Sequence, residues 1–374
     1  MHKILLIGDR NIYLKRLCNF LAVNGFSVHL ICRHRHGIES SEFKRITHLH
    51  TLNSTSLIRK YYTINQLINH IKPDIVHVHY LARDAVIPAI RKDKTYKLFI
   101  SVWGSDINLY ADSRLTRFFQ NVSLTRCDRI HTFSSYLKLQ IKKRYPKLPD
   151  NKFDIFSFGI DYQLFHTVES DAIEKIKKDL HINGDTLVIL SYRNHKPLYN
   201  HHIILRTIEK VRSVYPNVKY IFTRGSYNKD YFQQNITYAA ECGWQENVVF
   251  IDRWLSKEQL AALIHLSSIS ISIPDSDGMP ATLFEIMATP SIPVVGALEA
   301  YNDFFTDGIN GFVVPDVTDV ESLADIIVRA LNFDPTSKQQ MTRTNNAYIK
   351  TSQNWEYQTR KILDFYNQQF ITNS

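Results

Sequence analysis

The order of apolar and polar residues predicts strands that alternate with helices, and residues 269–295 show this most clearly. Isoleucines alternate with serines over residues 269–273, which is typical of a half-buried strand, and Pro274 ends the stretch. Apolar residues with helical spacing follow Pro280, which is suited to the first position of a helix, and they continue to Pro290. Residues 292–295 predict a second, buried strand. This part of the chain is therefore a strand, loop, helix and strand unit.

The same alternation occurs in both halves of the chain. Further strands are predicted at residues 2–9, 75–78, 98–102, 186–193 and 217–225. A helix over residues 14–22 is closed by Gly25, and Ser134 or Ser135 is a natural N-cap for a later helix. A capping box of Ser256 and Gln259 opens another helix, and Thr318 is the expected N-cap of a helix over residues 319–331. The pattern predicts two α/β halves, each a candidate doubly wound domain.

Composition is that of a globular protein. Of the 374 residues, 44% are hydrophobic and 22% are charged, and this length is enough for two domains that each bury a core. No apolar run reaches the ~18 residues needed to span a bilayer, and the first seven residues predict a strand instead of a signal peptide. We therefore expect a cytoplasmic protein. Four scattered cysteines predict reduced, mostly buried thiols: Cys18, Cys32, Cys127 and Cys242.

The net charge of +9 suggests an anionic partner. The densest basic cluster consists of Lys138, Lys142, Lys143, Arg144 and Lys147. This cluster either lies against anionic lipid headgroups or is a solvated helix face, and the two interpretations have equal support. No nucleic-acid partner is expected, because the chain has no zinc knuckle, no aromatic RNP-like strand and no basic low-complexity tail.

The central loop places two carboxylates beside the start of a predicted helix. Asp277 precedes the helix and Glu285 lies about a turn and a half inside it, while free backbone N–H groups at a helix start form a site for phosphate. Two alternatives remain. Asp277, or a capping box beginning at Thr282, caps the helix, or residues 275–277 form a metal-binding Asp-x-Asp motif.

These residues resemble a known family. Asp-Gly-x-x-x-x-x-x-Glu at residues 277–285, Met-Ala-x-x-x-x-Pro-Val-Val at 287–295 and Asn-Gly-Phe-Val-Val-Pro at 310–315 are similar to the signature of retaining glycosyltransferases of family 4, which have the GT-B fold. The resemblance implies that Asp277 contacts the transferred sugar and that Glu285 binds the ribose. It also implies that the diphosphate is held by Gly278, Met279, Pro280, Ala281 and Thr282. Asp277 stands where the family usually has glutamate, and Pro280 where it usually has a second glycine.

The same resemblance implies cations for the leaving diphosphate. Arg193 fits the family's arginine, and a fixed guanidinium stabilises the developing negative charge. Residues 199–200, Tyr-Asn, stand where the family has Lys-Gly, so the second cation is Lys196 or the site uses one fewer charge. Arg224 and Arg253 follow later strands and are expected near the nucleotide. Trp254 is interpreted as a possible staple between strand and helix.

In the first half, candidate acceptor residues follow predicted strands. The first loop contains Gly8 but no G-x-G-x-x-G, which counts against a nicotinamide or flavin enzyme. His79, more often a satisfied histidine at a strand end, is a weaker candidate. Trp103 stands where the family has histidine and stacks on or gates the sugar, or is only a packing residue. Gly104, Ser105 and Asp106 follow it, with Asp106 grouped among the catalytic residues.

We therefore predict an α/β protein of the GT-B fold, with two doubly wound Rossmann-like domains facing across a cleft. By resemblance, residues 1–167 form an acceptor domain, residues 168–345 a nucleotide-sugar domain, and residues 346–374 a helical segment that crosses back to the first domain. The expected enzyme is a metal-independent hexosyl- or N-acetylhexosaminyltransferase. It needs no cofactor and uses a nucleoside-diphosphate sugar, which we expect to be a UDP-sugar because UDP is the commonest carrier in the family. The expected acceptor is a glycan or a lipid-linked molecule. The enzyme is expected to lie peripherally on the cytoplasmic face of the membrane. The alternatives are a non-hydrolysing nucleotide-sugar epimerase and a basic membrane- or nucleic-acid-binding module.

Overall fold

A computed structural model gives the fold. It describes residues 1–37, 42–43, 45–52, 54, 56–108 and 113–371, without the side chains of residues 34–37 and 371. The last three residues of the predicted terminal segment lie outside the described residues. The chain divides into two compact units, the first being Met1–Phe158 together with the chain from Thr359 onwards, and the second Gly159–Gln358.

The first unit is built on a parallel sheet. Its strands are β1 (Lys3–Arg10), β2 (Ser27–Gly37), β3 (His48–Thr51), β4 (Ile75–His79), β5 (Lys97–Val102), β6 (Arg129–Thr132) and β7 (Phe153–Ile155). They are ordered β3-β2-β1-β4-β5-β6-β7, so the order reverses between β1 and β4. Strands β4 and β5 are buried on both faces apart from Lys97, as expected of a parallel sheet covered by helices.

Helices of the first unit connect these strands. They are α1 (Ile12–Val23), α2 (Leu57–Ile71), α3 (Val86–Ala89), α4 (Ser105–Asn108), α5 (Arg114–Arg126) and α6 (Ser135–Arg144), with short 3₁₀ turns at Arg83–Ala85 and Asp150–Lys152. Ser134 caps α6 by accepting from the amide of Leu137, which confirms one of its two predicted N-caps. Gly25 follows α1 in the left-handed region at φ +87°, as predicted.

The second unit repeats the parallel architecture. Its strands are β8 (Leu187–Ser191), β9 (Val218–Thr223), β10 (Val248–Ile251), β11 (Ile269–Ser272), β12 (Ile292–Gly296) and β13 (Phe312–Val314). They are ordered β10-β9-β8-β11-β12-β13. The order reverses between β8 and β11, and such reversals are where open α/β sheets bind ligands, just past the carboxyl ends of the strands.

The helices of the second unit test two of the predicted N-caps. They are α7 (Tyr162–His166), α8 (Ser170–Asp179), α9 (His201–Arg206), α10 (Ile208–Val214), α11 (Lys229–Glu241), α12 (Lys257–Leu266), α13 (Ala281–Met287), α14 (Val320–Leu331) and α15 (Pro335–Tyr348). The capping box of Ser256 and Gln259 before α12 is confirmed. The prediction of Thr318 before α14 is wrong, because Asp319 caps that helix and the Thr318 hydroxyl donates to Asp316.

The chain divides between Phe158 and Gly159, nine residues before the boundary we expected near Thr167. The amide of Ile160 donates to the Gln353 carbonyl at 2.8 Å, and the amide of Trp355 donates to the Ile160 carbonyl at 2.9 Å. Gly159 has φ +61° and lies so close to the Asn354 backbone that a Cβ would meet it at 2.7 Å. These backbone contacts tie the segment after Phe158 to the second unit.

The last helix, α16 (Trp355–Ile371), begins in the second unit and joins the first from Thr359. Ile362 and Phe365, two of the predicted packing residues, are buried, and Phe365 lies 4.6 Å from the Phe99 ring, centroid to centroid. The Tyr366 hydroxyl lies 2.6 Å from His77 Nδ1 in β4. The end of the chain therefore forms part of the first unit's core.

Two expectations from composition concern the cysteines and membrane-spanning segments. Three cysteines are buried and Cys242 is exposed, as predicted for mostly buried thiols. Over the part of the chain that is described, no helix has both the length and the apolar character that crossing a bilayer requires.

Candidate active site

Strand β11, which leads into the central loop, lies between β8 and β12. The prediction of a half-buried strand is wrong, because Ser270 and Ser272 are 0% and 1% exposed. A central strand of a parallel sheet is covered on both faces, so its hydroxyls need buried partners. Ser270 Oγ lies 2.8 Å from Ser291 Oγ, and Ser272 Oγ accepts from Arg193 Nη1 at 3.3 Å. Ser272 therefore connects the sheet to the loop's charged residues.

Helix α13 is shorter than the sequence predicts. Its N-cap is Pro280, with φ −77° and ψ 121°, and it runs from Ala281 to Met287, ending before Pro290. Within the described residues no side chain caps this helix. Neither capping alternative, Asp277 or a box beginning at Thr282, is therefore realised. The two acids of the motif have other contacts.

Asp277 forms a largely buried ion pair with Arg193. Arg193 Nη2 donates to Asp277 Oδ2 at 2.8 Å, and the two side chains are 7% and 14% exposed. The Tyr301 hydroxyl donates to the same oxygen at 3.2 Å, and the amide of Gly278 donates to Oδ1 at 2.8 Å. The carboxylate is thereby held in one orientation, with both oxygens bonded.

The Arg193 guanidinium is fixed on several sides. Besides Asp277 and Ser272 it contacts Tyr199, whose ring centroid lies 4.5 Å from the guanidinium carbon, a favourable cation–π geometry. Burial opposes its charge, but Asp277 and the phenols of Tyr301 and Tyr199 outweigh this and raise the pKa of Arg193. The residue is a permanent, oriented cation just past the end of β8.

Tyr199 and Asn200 stand where the family has Lys-Gly, and the backbone conformation explains why asparagine can replace the glycine. Asn200 adopts φ 55° and ψ 33°, the left-handed region, which asparagine tolerates better than most residues other than glycine. Its side-chain amide donates to the Ile273 carbonyl at 3.0 Å and to Asp275 Oδ1 at 2.6 Å. Asn200 thus keeps the bend that glycine would make and ties the β8 loop to the central loop.

Glu285 lies on the first turns of α13 and is partly buried. The Tyr192 hydroxyl donates to the Thr282 carbonyl at 2.5 Å and lies 3.3 Å from Glu285 Oε2. Tyr192 and Arg193 are consecutive, so one short segment after β8 contacts both acids of the motif.

The remaining predicted nucleotide residues of the second unit are more exposed. Lys196 is partly exposed in the same loop as Arg193. Arg224 pairs with Asp252 at 3.0 Å, and Arg253 is exposed, with Nη1 3.4 Å from Gln259 Oε1. Trp254 is 69% exposed, so the interpretation of it as a staple is wrong.

Asp275 and Asp277 have different partners. Asp275 is exposed and accepts from Asn200, whereas Asp277 is paired with Arg193. Across the described residues no group of three or more histidine, cysteine or carboxylate side chains is arranged to hold a metal ion. Asp277 therefore has a guanidinium partner, and Asp275 has a side-chain amide partner.

In the first unit, Gly8 lies within β1, so our prediction that it belongs to the following loop is wrong. A Cβ at Gly8 would lie 2.9 Å from Leu14 Cδ2 and 3.1 Å from His79 Cβ. His79 is 3% exposed, and in the described structure neither of its ring nitrogens has a hydrogen-bond partner. Burial, with the charges of His131 and Arg33, lowers the pKa of His79. The expectation of a satisfied histidine is therefore wrong.

Trp103 packs in an aromatic cluster. Its ring centroid lies 4.9 Å from Phe133, 5.9 Å from Phe158, 5.7 Å from Tyr13 and 6.2 Å from His79. The Nε1 donor is buried without a partner in the described part of the chain. The ring therefore packs against these four neighbouring rings of the first unit.

Asp106 was grouped with the catalytic residues, but it is 1% exposed and its carboxylate accepts only backbone amides within the described structure. The donors are Leu81 at 2.8 Å, Trp103 at 3.1 Å and Gly104 at 2.8 Å. Burial raises the pKa of Asp106 despite these bonds. Its contacts account for a positioning residue that holds this loop, while Ser105, at the start of α4, lies 3.2 Å from the Tyr80 hydroxyl through its Oγ.

The predicted basic cluster is partly neutralised. Lys138 and Lys142 pair with Asp150 at 2.8 and 2.5 Å, and Arg144 donates to the Ile107 carbonyl. Lys143 and Lys147 are exposed. An isolated basic surface at this position is therefore smaller than the sequence suggests.

Four residues around the Arg193–Asp277 pair and Glu285 were not predicted from the sequence as site residues: Tyr192, Asn200, Ser272 and Tyr301. Tyr192 adjoins Arg193, and Asn200 stands at the family's glycine, so both had a local signal. Tyr301 lies 24 positions after Asp277 and had none, because its contact depends on the fold.

Comparison with known proteins supports this description. A family model described as glycosyl transferase 4-like matches residues 3–135, and one described as glycosyl transferases group 1 matches residues 172–355. No curated protein matches the sequence.

Several solved structures share the fold. A glycosyltransferase from Rickettsia africae ESF-5 has 15% identity and TM-score 0.81, covering 100% of this chain and 99% of the other. Sucrose-phosphate synthase from Thermosynechococcus elongatus has 15% identity and TM-score 0.82, covering 100% of each chain. Anabaena HepE in complex with UDP-glucose has 13% identity and TM-score 0.81, covering 98% of this chain and 100% of the other. Two parallel Rossmann-like units and two family models that together span most of the sequence lead to one conclusion: the chain belongs to the group 1, family 4-like glycosyltransferases, with the GT-B fold.

Proposed function

We propose that this glycosyltransferase moves a hexose or N-acetylhexosamine from a UDP-sugar to a glycan or lipid-linked acceptor in cell-surface polysaccharide or glycoconjugate synthesis. It does so with retention of anomeric configuration and without a metal ion. The observation that carries the proposal is the Arg193–Asp277 pair just past β8 and β11. The UDP and UDP-glucose complexes of Anabaena HepE support UDP as the carrier.

Arg193 and the loop before α13 act on the diphosphate. When the bond between the sugar's anomeric carbon and the phosphate oxygen breaks, negative charge develops on that oxygen. A cation that is already oriented stabilises this charge without reorganising. The acceptor hydroxyl forms its bond on the same face, and its proton passes to the departing phosphate, so no separate basic residue is required.

Asp277 and Glu285 divide the remaining contacts. Asp277 orients the sugar above the diphosphate, its own position being set by Arg193 and Tyr301. Glu285 accepts from the ribose hydroxyls, and Tyr192, just after β8, holds Glu285 in position. Lys196, Arg224 and Arg253 are proposed as outer contacts to the nucleotide.

Single replacements at the two acids separate their roles. Asp277→Ala is expected to reduce turnover strongly with a modest change in nucleotide affinity, whereas Glu285→Ala is expected to weaken UDP binding about tenfold, the loss of one charged hydrogen bond. Thermal shift with UDP, ADP and GDP, followed by transfer assays, measures both. Normal transfer by both variants would show that the site is misassigned.

The same assay separates transfer from epimerisation. Incubated with nucleotide sugars alone, a transferase leaves the donor's sugar unchanged, while an epimerase produces an epimerised donor or free nucleotide without any acceptor. Donor epimerisation at a catalytic rate would overturn the proposed reaction.

A further inference from the structure

The first unit contains a charged cavity that the motifs did not reveal. It measures about 440 Å³ and is lined by Arg33, Lys60, Arg83 and Asp84, with Asp9 and apolar side chains. Three cations face two carboxylates, so the lining carries a net positive charge.

The wall of this cavity contains a buried ion cluster. Arg33 Nε donates to both oxygens of Asp84 at 3.1 Å, and Lys60 Nζ lies 3.1 Å from Asp84 Oδ2. The side chains are 4%, 16% and 2% exposed for Arg33, Lys60 and Asp84. Burial would raise the pKa of Asp84, but the two cations lower it. Two cations on one carboxylate leave an excess positive charge in a poorly hydrated place, which an anionic ligand stabilises.

Two donors remain available to such a ligand. Lys60 has three N–H groups and uses one on Asp84. Arg83 is exposed at the rim and donates from Nε to Thr116 Oγ1 at 3.0 Å; among the described residues its two terminal nitrogens have no partner. Both side chains can therefore donate to one anionic group.

The cavity adjoins the candidate acceptor residues. Arg33 donates to the carbonyls of His79 and Tyr80 at 2.5 and 3.1 Å. Tyr80 has φ 76°, a costly conformation for a bulky residue that is found mainly at functional sites. The Arg33 side chain thus connects the ion cluster to the loop that follows β4.

Apolar side chains extend from the cavity wall to the surface. Leu57 of α2 and Leu115 and Phe119 of α5 line the cavity. Next to them on the same two helices are large exposed apolar side chains. They are Ile58, Tyr62 and Phe118, exposed by 69%, 64% and 60%. Exposed aromatic and aliphatic residues beside basic ones are typical of surfaces that lie on a membrane.

We propose that the Arg33–Lys60–Arg83 cavity binds the phosphate group of a lipid-linked acceptor, while the exposed apolar residues of α2 and α5 lie against the lipid. The inference rests on the proposed transferase function and specifies its acceptor class. The proposed membrane contact is therefore on helices α2 and α5. It is not the Lys138–Lys147 cluster, which Asp150 partly neutralises.

Co-sedimentation with vesicles tests the inference. The probes are phosphatidylcholine vesicles, alone or mixed with phosphatidic acid, which presents a phosphate monoester. Wild-type protein is expected to bind the mixed vesicles and the Lys60→Met/Arg83→Gln variant about thirtyfold less, as for the loss of two basic residues at an anionic surface. The matched control is Lys138→Met/Lys142→Met, which removes the same charge elsewhere and is expected to bind like wild type.

Further measurements separate the possible outcomes. An equal loss of vesicle binding in both variants indicates general charge attraction and contradicts a phosphate site in the cavity. Stabilisation by glycerol 3-phosphate without vesicle binding indicates a soluble phosphorylated acceptor and overturns the lipid assignment. Unfolding temperatures without ligand show that the variants fold. If wild-type protein binds UDP but not vesicles, only this inference is wrong. If it does not bind UDP, the proposed function itself is wrong.

Discussion

Arg193→Met is expected to lower kcat for glycosyl transfer by about 10²–10³, the usual effect of removing one oriented donor from a developing negative charge. The guanidinium is held by Asp277, Ser272 and the Tyr199 ring. Lysine cannot reproduce this set of contacts, so Arg193→Lys is expected to recover only a small part of the rate. Initial rates at saturating donor and acceptor measure the effect.

The same replacement leaves Asp277 largely buried without its cation. Breaking one side of a buried pair typically costs about 3–5 kcal/mol, so Arg193→Met is also expected to lower the free energy of unfolding. Arg193→Met/Asp277→Asn removes both charges and is expected to recover most of that stability while remaining inactive. This double variant separates loss of the fold from loss of the chemistry.

Arg329 provides a matched control. It also pairs with an aspartate, Asp307 at 3.1 Å, and its guanidinium lies 4.5 Å from the Phe312 ring centroid, but its side chain is 53% exposed. Arg329→Met is expected to change stability by less than about 1 kcal/mol and to leave the rate unchanged. If the double variant of the Arg193–Asp277 pair transferred sugar at the wild-type rate, Arg193 would have no part in the reaction.

Acidification below pH 6.5 is expected to destabilise the protein steeply, because the first unit buries a linked set of histidines. His77 lies 2.6 Å from the Tyr366 hydroxyl and 2.7 Å from Ser101 Oγ, which lies 2.8 Å from His131 Nδ1. Burial lowers the pKa of His131 to about 4. Burial, with neighbouring histidine charges, also lowers the pKa of His77 and His79.

The sign follows from proton linkage. Above pH 6.5 these histidines are neutral in both the folded and unfolded chain. Between 6.5 and about 4 the unfolded chain binds protons that the folded chain does not, so the unfolding free energy falls as pH falls. Each histidine contributes about 1.4 kcal/mol per pH unit, which for three is a large part of a typical domain's stability.

Urea denaturation at several pH values between 7.5 and 4.5 measures this slope. His131→Asn is expected to be less stable at pH 7.5 but to have a slope smaller by one proton, about 1.4 kcal/mol per pH unit. Equal slopes for wild type and His131→Asn would contradict a buried neutral His131.

Local sequence was sufficient for the alternation of strands and helices and for the capping box at Ser256. The resemblance to family 4 also singled out Arg193 and Asp277, which the fold pairs at 2.8 Å, and Glu285; the roles of all three in the reaction stay predictions. Hydrophobic period and caps act within a few residues, so they can be detected without a fold. Local sequence failed for the burial of Ser270 and Ser272, because alternation does not reveal whether a strand's second face is covered.

Which charged side chains pair with each other could be identified only from the folded chain. Arg193 and Asp277 are 84 residues apart, Arg33 and Asp84 are 51 apart, and Lys142 meets Asp150 instead of solvent. In a parallel sheet, strands adjacent in space are separated by helices along the chain, so β8 lies beside β11 although two strands intervene. Which carboxylate neutralises which cation, and which cation stays available for a ligand, therefore depends on strand order, a property of the whole fold.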